Sequence, residues 1–522
     1  MISAFKSQAS HRRAKAEVVD PLRDFVGWGL TPRVPCAPVG WTRGLRTHPT
    51  CVLALFLVII AGVRPCRACF SIVVGKKAST DGCVIVAHNE DDAGPQIVNH
   101  HKVPRQSHPA GTKVMLRNGG SLEQVPQTWA YLWSEMPGLL FSDSYVNEWG
   151  VTVASDNCPS REDRPELSDG GIGYLLRRLV AERAKTAREG VLLAGKLVEQ
   201  FGYIDSGRTY IIADPGEGWL FCAVNGKHWL ARRVPDDEVA MVANTYTVRA
   251  VDLTNKANFL ASADIVAYAK SRGWYNPDAD GPFDFARVYA DPKAAVHPNN
   301  TGRQWSGLTC IAREKLAPGP NLPFSVKPSR KLSVLDAMRI LRHDKAAESP
   351  QAPADSPFVC ALCSGATQTS FVAQVRKGMP LDIGIVYWVC LASPRTSFYI
   401  PFHFGISDFP AGFRRESQRP TAEAYDRKVQ APFTANLQEA FWTFSNFRDK
   451  VDAQGPAVLA AAQAEARRIE QEAVALQKPV EEAARRLYKT DKATALRLLE
   501  NHSKGVYLSC LEAMSGILST NN

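Results

Sequence analysis

A succession of short β-branched and aromatic runs, each closed by turn residues, occupies the chain from Cys69 to about Val242. The clearest are Cys69–Gly75, Cys83–His88, Val114–Arg117, Trp129–Trp133, Gly150–Ser155, Thr209–Ala213 and Trp219–Val224. Runs of this length with such boundaries form sheet and leave little room for helix. The one clear interruption is Gly173–Phe201, where Leu175, Leu176, Leu179, Val180, Val191, Leu192, Leu197 and Val198 recur at helical spacing and predict a pair of helices. A second strand-rich block contains Ser370–Val375, Ile383–Leu391 and Phe398–Phe402, beyond a less regular Pro- and Asn-rich stretch from Trp274 to Pro328. Sheets interrupted by helix pairs read as α+β or as layered αββα.

From about Gln418 the composition shifts to Ala, Glu, Gln, Lys and Arg. Leu459, Ala462, Ala466, Ile469, Ala473, Leu476, Val480, Ala483 and Leu487 repeat at spacings of three and four, as the seam of packed helices does. Pro479 interrupts the pattern, so the expectation is a helical hairpin or a kinked helix against the body or a second subunit, which leaves a homo-oligomer open. The expected division is a leader over 1–68, a main domain over 69–417 and a helical region over 418–522 packed on the core.

The most apolar run, Cys51–Val63, has thirteen residues, against the about 20 that a helix needs to cross a bilayer. Arg43 and Arg46 precede it and Cys66-Arg67-Ala68 follows, a pattern of basic, apolar and small-residue segments that reads as a signal peptide cleaved after Ala68. A buried core helix or a membrane anchor is the alternative. Residues 1–42 are long for the basic segment and read as the product of a mis-assigned upstream start codon, with a long cytoplasmic extension as the alternative. The leader also holds most of the charge. Of the formal +10, residues 1–68 supply ten Lys/Arg against three acids, and the remainder carries 52 bases against 49 acids. A nearly neutral body with no basic face excludes nucleic acid as a partner. An exported protein results, with the membrane met only through the leader.

Nine of the twelve cysteines lie from Cys69 onward, and an odd number leaves one outside any set of disulfides. Cleavage after Ala68 would make Cys69 the first residue. Its α-amine, titrating near ~8, would then stand beside a thiol titrating near ~8.5, so that nucleophile and base share one residue. Cys360-Ala-Leu-Cys363 has no second pair to complete a zinc site, and a disulfide or two buried thiols is the preferred reading. Trp129, Tyr131, Trp133, Tyr145 and Trp149 are taken as core.

The run from Cys69 to Gly82, followed by Ile85-Val-Ala-His-Asn-Glu-Asp91, resembles the start of the cysteine dipeptidases of the N-terminal-nucleophile hydrolase superfamily. It is similar, more distantly, to penicillin V acylases and choloylglycine hydrolases. Further matching segments are Asn147–Cys158, Val242–Thr245 and Gly365–Gly405. The resemblance implies a four-layer αββα sandwich and hydrolysis of dipeptides through a thioester on Cys69. It implies that Asp91 holds the Cys69 amine, and that Asn157, with Asn244 or a backbone N–H, binds the oxyanion. It also matches Arg303, in Asn300-Thr-Gly-Arg303, to the superfamily's active-site arginine. His88 stands where the acylases carry Arg and receives no role. No metal or organic cofactor is implied, and short peptides are the expected partners. An acyl-amide hydrolase is the enzymatic alternative, and a secreted or lipid-anchored binding protein with a silent Cys69 is the non-enzymatic one.

Overall fold

The computed structural model describes residues 69–91, 97–136, 141–168, 170–344, 360–414 and 434–520. The leader, its cleavage site and the boundary near 418 fall outside the described residues. Two antiparallel sheets dominate. The first has the strand order Ser325–Val326, Val239–Val242, Phe70–Val74, Val84–Asp91, Thr367–Val375, Ile385–Leu391, Tyr399–His403. The second runs Phe259–Ala261, Trp229–Arg233, Gly218–Gly226, Tyr203–Ala213, Thr152–Asn157, Phe141–Asn147, Tyr131–Met136, Asn99–Val103. The strand that starts after Cys69 is thus internal, hydrogen-bonded on one side to Val239–Val242 and on the other to Val84–Asp91.

Side-chain alternation along the second sheet creates the layers. Ala154, Ile211, Ala213, Leu220, Cys222 and Val224 join the core shared with the first sheet. Their neighbours Val153, Tyr210, Ile212, Trp219 and Phe221 face the helices Leu175–Arg183 and Ala187–Phe201. The sheets meet closely at Gly218, where a Cβ would lie 2.6 Å from Val73.

The outer face of the first sheet carries helices Pro298–Thr309, Val334–Leu341 and the C-terminal trio Ala440–Gln454, Pro456–Leu487 and Lys492–Thr520. The fold is therefore α+β with four layers in the order αββα. The irregular stretch 274–328 forms short helices because its Asn, Asp and Pro residues act as starts. Asn276, Asp284 and Asp291 cap successive N-termini through their side chains, and proline follows Asn276, Asp291 and His297.

The C-terminal helices differ from the expected seam in one respect. Pro456–Leu487 runs through Pro479 without ending, and the hairpin turns after Leu487. Beyond Ala473 the buried stripe passes to Gln477, Glu481 and Ala484, while Leu476 is 54% exposed. The sheet supplies the reason: Gln477 donates to Gln374 at 2.8 Å, and Glu481 accepts from Arg376 at 2.6 Å and pairs with His403 at 2.9 Å. Glu470 likewise holds Arg342 at 2.6 Å. Fully paired buried charges fix the helix rotation, which the apolar pattern alone set differently. Among the described residues all nine cysteines are thiols, including the half-buried Cys360 and buried Cys363. Tyr131, Trp133 and Tyr145 are core, whereas Trp129 and Trp149 are partly exposed. No helix among the described residues is long and apolar enough to cross a membrane.

Candidate active site

Cys69 stands at the head of the internal strand Phe70–Val74, one position before it, and shares the face of Ser71 and Val73 between the sheets. Period two in the paired strand Val84–Asp91 puts His88 and Glu90 on that same face, since His88 is the register partner of Ser71. The Cys69 thiol donates to Glu90 Oε1 at 3.2 Å and lies 3.7 Å from the Asp91 carbonyl oxygen. Burial pushes the thiol well above its ordinary value, and the carboxylates of Glu90, Asp156 and Asp91 push in the same direction. A thiol so placed stays protonated at neutral pH, and forming its thiolate requires a base.

His88 is fully buried and held by Asp143, Nδ1 to Oδ1, at 2.8 Å. Its Nε2 lies 3.9 Å from Glu90 Oε2 and 3.8 Å from Asp156 Oδ1. Burial opposes the imidazolium, but Asp143 first and then Asp156 and Glu90 outweigh it and raise His88 to about 9. Burial raises Glu90 to about 8 against the pull of His88 and Arg177. Asp156, hydrogen-bonded by the Ser71 hydroxyl, is raised by burial as well. The floor of the site is thus an acidic cluster that His88 neutralises in part.

The opposite wall comes from helix Pro298–Thr309. Arg303, on this helix, is 1% exposed. Its Nη1 donates to the Cys69 carbonyl at 2.7 Å, its Nη2 to Asn244 Oδ1 at 2.8 Å and its Nε to the Asn299 carbonyl at 3.1 Å. Gly307, one turn further along, lets the helix approach this closely: a Cβ there would lie 2.7 Å from the Phe70 ring and 2.6 Å from the Met241 sulfur. Asn244 adopts φ +53°, a left-handed conformation that asparagine tolerates, and its Nδ2 donates to the Asn157 carbonyl at 2.8 Å. Asn157 ends the strand Thr152–Asn157. Its Oδ1 accepts from Ser206 at 2.9 Å, which leaves Nδ2 as the remaining polar function of the side chain.

One hydrogen-bonded chain therefore links Cys69, Arg303, Asn244 and Asn157. Asp91 is buried at the end of its strand, paired with Thr367, and acts on the Cys69 thiol electrostatically. All five residues expected from the sequence lie in this region. Glu90, Asp143 and Asp156 were not expected. The reading that ended the second strand at His88 hid the alternation that puts Glu90 beside Cys69, and Asp143 and Asp156 are distant in sequence.

A buried thiol with an arginine-clamped carbonyl, two asparagine amides and a carboxylate cluster has the groups that hydrolysis at a carbonyl requires: nucleophile, polar donors and proton carriers. The profile of peptidase family C69 matches residues 68–452. The chain belongs to that family and is a peptidase. Among similar proteins is a probable dipeptidase of Salmonella dublin, 29% identical over 383 residues, covering 68% of this chain and 86% of the relative. Probable dipeptidase B of Streptococcus pyogenes serotype M1 is 25% identical over 413 residues, covering 74% and 79%. Among solved structures, penicillin V acylase from Agrobacterium tumefaciens aligns over 64% of this chain and 86% of its own, at 12% identity and TM-score 0.31.

Proposed function

We propose that this peptidase is an exported, cysteine-type dipeptidase whose nucleophile is Cys69, freed as the first residue when the leader is removed. The observation that carries the proposal is the Cys69 setting: an internal-strand start, a thiol on the inter-sheet face, and a carbonyl fixed by buried Arg303. The family match begins at residue 68, one position before this cysteine, and relatives named as probable dipeptidases support dipeptides as substrates.

In the proposed reaction the α-amine of Cys69 takes the thiol proton as sulfur adds to the peptide carbonyl carbon. Asn157 Nδ2, with Asn244 or a backbone N–H, donates to the oxyanion, a contribution of about 3–4 kcal/mol per donor. Collapse breaks the C–N bond, the ammonium returns its proton to the departing amine, and a thioester remains. Water, deprotonated by the same amine, attacks the thioester; the acid departs and the thiol regains a proton. Asp91 orients the ammonium, and His88 supplies the positive charge that keeps the neighbouring carboxylates from opposing the thiolate. The ligand set is peptide only, with no nucleic acid, and the membrane is met through the leader alone.

N-terminal sequencing of the secreted protein, together with turnover of a dipeptide panel and an acyl-amide panel, tests this reading. Cys69 as first residue and preferential dipeptide cleavage are expected. A retained leader in active protein excludes the amine as base, and preferential acyl-amide cleavage excludes the dipeptidase assignment.

A further inference from the structure

The buried cluster beside Cys69 has a property that peptide hydrolysis does not require. One ligand-capable atom each from Cys69, His88 and Glu90 lies within 4.8 Å of the others. His88 Nε2, Glu90 Oε2 and Asp156 Oδ1 are buried without a hydrogen-bond partner, although Nε2 faces both oxygens at 3.8–3.9 Å. Buried polar atoms are normally satisfied, so three that converge mark a position where a cation would complete the set. The imidazole is also prepared for ligation. Asp143 fixes Nδ1 at 2.8 Å, and Asp143 in turn accepts from Ser144 at 3.0 Å, the carboxylate–histidine arrangement that orients a metal-binding ring nitrogen.

We propose that Cys69, His88 and Glu90 form a reversible binding site for a thiophilic divalent cation of the zinc class, with Asp156 as the nearest further oxygen. Ligand atoms of a tetrahedral zinc site stand about 3.3–3.6 Å apart, from Zn–N and Zn–O near ~2.1 Å and Zn–S near ~2.3 Å. The observed Sγ to Oε1 separation of 3.2 Å and Nε2 to Oε2 separation of 3.9 Å bracket that range. The three-way spread of up to 4.8 Å must contract by about 1 Å, which side-chain rotamer changes of Cys69 and Glu90 supply on binding. A thiolate, an imidazole and a carboxylate select zinc or cobalt over magnesium and calcium.

Binding forms an S–metal bond with loss of the thiol proton to solvent, and any proton on Nε2 or the Glu90 carboxyl leaves with it. The sulfur lone pair is then engaged, so a metal-bound chain is protected from oxidation. It is also inactive, a consequence that rests on Cys69 being the nucleophile. The ligands include no α-amine, so the site is complete in the unprocessed chain.

Cobalt titration of the purified, reduced full chain tests the site, because thiolate ligation gives a near-ultraviolet charge-transfer band and tetrahedral cobalt gives visible bands. One equivalent should develop both. Cys69→Ala should abolish the charge-transfer band and His88→Gln the binding, while Asp143→Asn should weaken it about 10- to 100-fold. Cys310→Ser, at the C-terminus of helix Pro298–Thr309 and outside the proposed ligand set, should keep the spectrum. No charge-transfer band in the wild type overturns the proposal; so does an unchanged band in Cys69→Ala or His88→Gln. Zinc binding with undiminished peptide turnover would leave the metal site standing and remove Cys69 from catalysis, so the two readings fail separately.

Discussion

Arg303→Met removes the guanidinium that joins helix Pro298–Thr309 to the Cys69 carbonyl and leaves the volume nearly filled. Three acceptors lose a charged donor: the Cys69 carbonyl at 2.7 Å, Asn244 Oδ1 at 2.8 Å and the Asn299 carbonyl at 3.1 Å. Only the Cys69 carbonyl is fully buried, and leaving it unsatisfied costs about 1–3 kcal/mol; Asn244 and Asn299 are part-buried and add less. The total is an appreciable share of the roughly 5–15 kcal/mol by which a domain is stable. The activity loss should be steeper than the stability loss. Asn244 is tethered between Arg303 and the Asn157 carbonyl, and a displacement of about 1 Å at such a site costs about 10²-fold in rate. Urea denaturation and dipeptide kcat/KM on the same preparations separate the two effects. Arg303→Lys should recover less than half of either, because one ammonium cannot reproduce the planar fork that serves three acceptors. Combined with Asn244→Ala, Arg303→Met should show non-additive losses, since the two residues share a bond. The reasoning is refuted if Arg303→Met matches wild type in stability and turnover, or if lysine serves equally well.

Gly307→Ala should cost about 1–3 kcal/mol by forcing the Arg303 helix off Phe70 and Met241, and should lower kcat with it; unchanged melting and turnover would contradict that packing. His88 is raised to about 9, chiefly by Asp143 against the opposing effect of burial. The folded state therefore binds its proton more tightly than the unfolded one: the stabilisation is complete below about pH 6.5 and is lost as pH rises through about 9. Glu90, raised to about 8 by burial, acts in the same direction. The urea midpoint should decline across that window in wild type and much less in Asp143→Asn; equal profiles would refute the assignment. Glu481 is lowered to about 2 because its hydrogen bonds to His403 and Arg376 outweigh burial, so its contribution is present above about pH 4.5 and lost as pH falls through 2. Glu481→Ala leaves the largely buried Arg376 and the buried His403 without their carboxylate and should cost about 3 kcal/mol, measurable by urea denaturation at neutral pH, and a loss below 1 kcal/mol would contradict it.

The fold was legible in the sequence where side chains alternate or repeat cleanly. Phe70–Val74, the Gly218–Gly226 strand and the helix pair between Leu175 and Phe201 all lie where periodicity placed them. Strands with polar residues on both faces were not legible. Asn99–Val103 reads Asn-His-His-Lys-Val, and the second strand continues through His-Asn-Glu-Asp because those groups pair inside the protein, where local pattern carries no trace of the partner. At the site, Cys69 and its asparagines came from motif resemblance. The chemistry of the floor came only from tertiary structure, since His88 meets Asp143 and Asp156 across the gap between the sheets. Arg303 shows the same limit: its Pro- and Asn-rich context carries no clear helical period, while the His297 cap and Pro298 start a helix that buries the guanidinium.

The central claim is that Cys69, as an amino-terminal residue, forms a thioester with the substrate acyl group. Acid-quenching the processed protein during turnover of a good dipeptide and measuring the mass of its first peptide tests it directly. The account predicts a mass increase equal to the acyl residue on a peptide that begins with Cys69, lost on hydroxylamine treatment and not formed as a thioester in Cys69→Ser. An unmodified first peptide under steady turnover, with Cys69→Ala as active as wild type, would contradict it.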